Sequence, residues 1–167
     1  MDEIWSLLEE HAAVRWMAGT LMVAVRPATG SPDEPARVAT LLARLQRLLE
    51  VHRPKDDALV IPRLLEKGVV TTEELSAFQS EREVVDEMLR AALHCAGSEG
   101  GHACHPLAMM VDALVVAVEA MLLNEEAFLY PLLCQACDDD EKWRLSVELD
   151  RAVDVAGRAE RSALLAA

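Results

Sequence analysis

The sequence of 167 residues reads as all-α: an up-down four-helix bundle followed by a C-terminal fifth helix. Three observations lead there. Apolar residues make up 52% of the chain and charged residues 27%, so there is apolar material for one substantial core. Between clusters of Gly and Pro the apolar positions recur at helical spacing, without the alternation of strands. Capping signals recur where new helices should start.

The elements follow in order. Residues 2–24 form a first helix with Ile4, Leu7, His11, Val14, Ala18 and Leu21 on one stripe. The run from Arg26 to Pro32 is a loop, and Ser31 with Glu34, followed by Pro35, is a capping-box start for a second helix. That helix carries Val38, Leu41, Leu45, Leu48 and His52 on one face, and Pro54 and Pro62 should bend or break it near its end. Gly68 closes it, and Thr71 with Glu74 opens a third helix lined by Phe78, Arg82, Val85, Leu89 and Ala92. After a Gly-rich loop from Ala96 to Gly101, a fourth helix runs from about Pro106 to Cys137. Its inward register is Leu107, Leu114, Val118, Met121, Glu125, Phe128 and Leu132. Asp138, Asp139 and Asp140 suit the N-terminus of a last helix over 140–166, where they oppose its dipole.

Charge and composition narrow the function. Acidic residues number 29 against 16 basic, a net charge of -13, which repels nucleic acid and anionic membranes. Aromatics are only 4%, leaving few platforms for stacking bases or sugars. The apolar stretch from Leu107 to Leu123 is interrupted by Asp112 and Glu119 and reads as a buried helix, not a membrane span. The opening Met1-Asp2-Glu3 lacks a basic n-region, and four cysteines without an export signal fit a reducing compartment. The expectation is a soluble cytoplasmic protein with one domain over 1–167. No phosphate loop, nucleophile elbow or basic stripe is present, and Gly97 to Gly101 does not follow a strand.

Two segments resemble each other. His52-Arg53-Pro54-Lys55-Asp56-Asp57 through Pro62 can be laid on Met121-Leu122-Leu123-Asn124-Glu125-Glu126 through Pro131. Each has paired acids, mostly apolar residues and a proline. In the first, His52 precedes Asp56 by four, which puts imidazole and carboxylate on one helix face, as bundle metal sites require. Met121 stands in the corresponding place of the second. His11, on the apolar stripe of the first helix, is a third candidate.

On these residues the sequence resembles the hemerythrin-like family of HHE cation-binding domains over roughly residues 4–135. The resemblance implies a bundle around a non-haem iron centre, mono- or dinuclear, with His11, His52, Asp56 and Glu125 as metal ligands. It also implies binding or activation of dioxygen or a related small oxidant, and makes an oxygen-dependent oxidoreductase acting on a small apolar substrate plausible. The motifs are degenerate: Met121 takes the place of the fourth-helix His, and Arg82, with Asp86 one turn on, takes that of the third. Arg82, Asp86, Met121 and Glu126 are therefore candidates to line the site. The alternative is a metal-free interaction module, in which the Arg82 guanidinium replaces the metal's charge and the bundle serves partner binding or homo-oligomerisation.

Two cysteine clusters stand apart. His94, Cys95, His102, Cys104 and His105 lie within twelve residues of one another, a density compatible with zinc or copper, though not at a standard zinc spacing. A solvated loop with incidental thiols is the simpler reading. Cys134 and Cys137 form a C-x-x-C at the C-terminal end of the fourth helix, beside three acids that raise a thiol's pKa. That position disfavours reactive dithiol chemistry.

Overall fold

The computed structural model describes residues 4–26, 34–97 and 104–156, and among these it contains helices and no strand. Helix α1 is Trp5–Ala24. Helix α2 runs Glu34–Lys55, passes through a π-helical turn Asp56–Val60, and ends as Ile61–Glu66. Helix α3 is Thr72–Gly97. Helix α4 runs Cys104–Asn124, then a π turn Glu125–Leu129, then Tyr130–Ala136. Helix α5 is Asp139–Ala156. α1 packs on α2 and α4, and α3 packs on the same two, which closes a ring of four; α5 lies against α1 and α2.

The helix ends follow their local chemistry. Thr71 N–H donates to Glu74 Oε2 at 2.8 Å while Glu74 N–H donates to Thr71 Oγ1 at 3.2 Å, a reciprocal capping box. Asp138 and Glu141 do the same for α5, at 2.9 and 2.8 Å. Gly68 has a φ of 65°, the left-handed conformation that terminates α2 and that a residue with a Cβ adopts at a penalty. Ser31 of the expected second box lies outside the described residues, as do 27–33 and 98–103 of the two interhelical loops.

The prolines do not break α2. Pro62 and Pro131 each lack an N–H, and their rings would clash with the carbonyl four residues back, at Ala58 and Ala127. The chain widens by one residue just ahead of each: Ile61 N–H bonds Asp56 O, and Tyr130 N–H bonds Glu125 O, five residues back. One extra residue turns everything after it by roughly 100°. Hence Leu129 and Leu133 face inward, whereas the expected Phe128 is exposed and Leu132 only half-buried. Phe128 stacks on Phe78 at 5.5 Å between ring centroids. Leu49, not Leu48, is the fully buried leucine of its turn in α2.

The buried interior has two apolar clusters. One is built on Val14, Met17, Leu45, Val85, Leu114 and Val118. The other, under α5, is built on Leu7, Leu64, Leu129, Leu133, Leu145 and Leu149. Pro106–Ala136 has the length and apolar composition of a membrane span, yet it forms a wall of this bundle and carries the buried Glu125. Between the clusters lies a layer of buried polar groups: Glu10, His11, His52, Lys55, Asp56, Arg82 and Glu125.

Candidate metal centre

Both π turns start on a carboxylate of this layer, Asp56 in α2 and Glu125 in α4. His11 comes from α1 and Arg82 from α3, so every helix of the ring contributes. His11, His52, Asp56 and Glu125 are all fully buried. Three of them converge on one point. His11 Nε2 is 3.0 Å from His52 Nε2 and 3.1 Å from Glu125 Oε2, and His52 Nε2 is 3.3 Å from the same oxygen. Asp56 stands to one side, its Oδ2 being 3.3 Å from His52 Nε2.

The far nitrogen of each imidazole faces a carboxylate. His11 Nδ1 is 2.8 Å from Glu126 Oε1, and His52 Nδ1 is 3.2 Å from Glu10 Oε2. Carboxylates only accept, so each Nδ1 carries a proton and each neutral ring turns an Nε2 lone pair toward the other and toward Glu125. Three lone-pair donors on one spot need either an added proton or a cation. Donors about 2.1 Å from a metal and at right angles to one another lie about 3.0 Å apart, which is the spacing seen here. Two imidazoles and one carboxylate on adjacent positions is a donor set suited to divalent iron. The residues fit a metal cation.

Electrostatics point the same way. Burial works against charge on His52, but the Asp56 carboxylate, helped by Glu10 and Glu125, outweighs it and raises the imidazole well above its ordinary range. Burial likewise opposes ionisation of Glu125, yet its contacts with the His11 and His52 imidazoles and the charge of Arg82 keep it below the usual carboxylate range. Among the layer's fixed charges, Glu10, Asp56 and Glu125 face only Lys55 and Arg82. One negative charge is left over for a proton or a metal to match.

Arg82 points inward. Its Nη2 donates to Asp56 Oδ2 at 2.6 Å and Glu125 Oε1 at 2.9 Å, and its Nη1 donates to Asp57 Oδ1 at 2.7 Å. The Glu125 carboxylate is thus divided, one oxygen on the imidazoles and one on the guanidinium. Three groups of the layer were not among the sequence candidates. Tyr130 places its hydroxyl 3.1 Å from His11 Nε2 and 3.4 Å from Asp56 Oδ1, and burial together with Asp56 and Glu125 keeps the phenol protonated. Lys55 donates to Glu10, which holds His52. Tyr130, ahead of Pro131 in the repeated segment, had a positional signal; Glu10 and Lys55 had none beyond adjacency to His11 and Asp56.

The remaining candidates separate. Glu126 adjoins the centre through His11 and is also held by Arg15 at 2.7 Å. Met121 is buried in the first apolar cluster, 3.8 Å from Arg53 Nη2. Asp86 does not line the centre: it pairs with Arg53 at 2.5 Å and its side chain is 48% exposed, because its turn of α3 faces α2's outer edge. Near the end of α3 His94 is exposed and Cys95 half-buried; His102 and the side chains of Cys104 and His105 lie outside the described residues. Neither Cys134 nor Cys137 is in a disulfide, and burial with nearby Glu141 raises Cys137 above the ordinary thiol range.

Neither a curated protein nor a solved structure matches the chain. The family model for the hemerythrin HHE cation-binding domain matches residues 2–133, a span that holds the first three helices of the ring, all but the last three residues of the fourth and every residue of the polar layer. The chain belongs to the hemerythrin HHE cation-binding family.

Proposed function

We propose that the protein is a non-haem metal protein that holds one divalent cation, iron by its family, on His11, His52 and Glu125 and there binds or activates dioxygen or a related small oxidant. The observation that carries this reading is the meeting of two Nε2 lone pairs and a Glu125 oxygen, each ring oriented by a carboxylate behind it. When bound, such a metal supplies redox capacity and open coordination positions for a small oxidant or a substrate. The chain's own residues supply the rest. Glu126 and Glu10 orient the imidazoles. Arg82 neutralises the outer oxygens of Asp56 and Glu125, which favours one metal over a pair. Tyr130 holds a neutral O–H beside the donors, and the two apolar clusters keep bulk water out. An oxidoreductase on this basis would act on a small molecule.

A second reading has its own support. With Arg82 bridging both carboxylates and His52 holding a proton, the layer is satisfied without metal, as an interaction or oligomerisation module would need. Elemental analysis of protein purified without added metal decides between them. About one iron per chain, lost in His52→Ala, supports the first reading. No metal in any preparation, including anaerobic protein supplied with ferrous iron, sinks it in favour of the second. Zinc or copper that survives His52→Ala and disappears with Cys104→Ser would move the metal to the His94–His105 segment.

A further inference from the structure

α4 is the most apolar of the described helices, yet only 33% of its most apolar stretch is buried within the chain. A helix that is apolar all round normally lies inside a structure. Along its outer side the exposed positions Met109, Ala113, Val116, Ala120 and Leu123 recur four and three residues apart, with no charge among them. That is the spacing of a helix that meets another helix. Val116 is 69% exposed, more than any other large apolar side chain described. The neighbouring α1 carries a second outward row with the same spacing, including Trp5, Trp16, Gly19 and Val23. Its one charged member, Glu9, accepts a hydrogen bond from Trp5 Nε1 at 2.9 Å. Arg15 reaches Glu119 at 3.0 Å, which sets Trp16 and Gly19 beside the middle of the α4 row. A Cβ added at Gly19 would meet nothing within 4 Å, so nothing inside the chain calls for glycine there, where it weakens a helix. A close neighbour from outside would.

We propose that this face is a homodimer interface, in which α4 packs antiparallel on α4 of a second copy about a two-fold axis at Val116, flanked by the α1 tryptophans. The row is symmetric about that residue, so Met109 comes opposite the partner's Leu123. Asp112 and Glu119, at the row's edge, come opposite the partner's Ala120 and Ala113 and not opposite each other. A two-fold contact needs a surface that matches itself, which an uncharged row of alternating large and small side chains provides. Trp5, Trp16, Val23, Met109, Val116 and Leu123 together expose roughly 700 Å², near the about 800 Å² per partner of a standard interface and above the roughly 300–600 Å² patch of a typical monomer. A bilayer is the other apolar surface that such a row could meet. A helix lying on one carries Lys and Arg along its flanks, whereas α4 has Asp112 and Glu119, on a chain of net charge -13. The polar layer takes no part in this face, so the proposal depends on neither reading of the centre.

Sedimentation velocity of the full chain over a concentration series tests it. Interfaces of this size reach micromolar affinity or better, so a species of twice 18.3 kDa should dominate at about 100 μM. Val116→Glu sets two carboxylates together on the axis and should weaken association at least about tenfold, with an unchanged circular-dichroism spectrum. Trp143→Glu, an equally exposed position on α5, which lies against α1 and α2, should leave the dimer intact. Met109→Lys and Leu123→Glu should each weaken the dimer, and combined in one chain should restore it through opposite charges across the axis. A monomer at that concentration overturns the proposal. So does a dimer indifferent to Val116→Glu, one lost equally in Trp143→Glu, an assembly that grows past two copies, or a double variant no better than either single one. A monomer that floats with phosphatidylcholine vesicles would assign the face to a membrane instead. Metal-free and iron-supplied protein should give the same mass, so failure of the metal reading and failure of this one are told apart.

Discussion

Glu126 decides which way a metal-facing lone pair points. Its Oε1 sits 2.8 Å from His11 Nδ1, while Arg15 Nη1 and Nη2 grip its two oxygens at 2.7 and 3.1 Å. Removing its charge leaves the ring free to exchange tautomers and to rotate. Glu126→Gln should therefore weaken metal affinity by roughly 10–100-fold while circular dichroism stays unchanged. Competition against a chromophoric chelator measures it, and an unaltered affinity would show that His11 needs no such partner. Glu10 is the poorer test, because deleting it strands the buried Lys55 as well. His11, His52, Asp56, Glu125 and Arg82 were legible beforehand because each falls in phase with an apolar stripe, where a polar side chain must find partners inside. Glu10 and Lys55 were not, since their burial comes from α1 meeting α2, a pairing that no single stripe encodes. The Asp56 displacement was likewise out of reach: its i,i+4 spacing to His52 is correct, but Arg82 draws its Oδ2 to 2.6 Å.

The starts of α3 and α5 were legible from Thr71 with Glu74 and from the acids at 138–140. What periodicity could not give is the one-residue widening at Glu125–Leu129, because a π turn appears in sequence only as a change of phase. The proline at the same offset in both repeated segments was the available clue. The widening makes a prediction that runs against the straight-helix register. Leu129 is 0% exposed and Phe128 is 38% exposed. Leu129→Ala should cost roughly 2–5 kcal/mol, the usual range for emptying a fully packed leucine site. Phe128→Ala, which loses mainly its stacking on Phe78, should cost about 1 kcal/mol. Urea unfolding of the two variants ranks them. A larger loss in Phe128→Ala would mean that α4 runs through this segment without the extra residue, and Glu125 would then not share its height with His52.

A buried polar layer between two apolar clusters ties the stability of the bundle to what fills it. All four helices of the ring meet there, so unfolding any of them dismantles the donor set, and a cation held by it binds only the folded chain. Such a ligand stabilises by an amount that grows with the logarithm of its free concentration, about 2.7 kcal/mol at a hundredfold excess over the dissociation constant. In a chain of this size 1 kcal/mol moves the thermal midpoint by about 2–4 °C, so the rise should be roughly 5–11 °C. The midpoint should keep climbing as ferrous iron is raised anaerobically, and should stay flat in His52→Ala and in Glu125→Ala. The variants will themselves start lower, since Glu125→Ala takes a partner from Arg82 and His52→Ala takes one from Glu10, so the informative quantity is the slope against metal and not the starting value. A flat response in the unmodified protein would mean that the guanidinium of Arg82 and the proton on His52 already complete the layer. The polar layer would then be held by an ion-pair network alone.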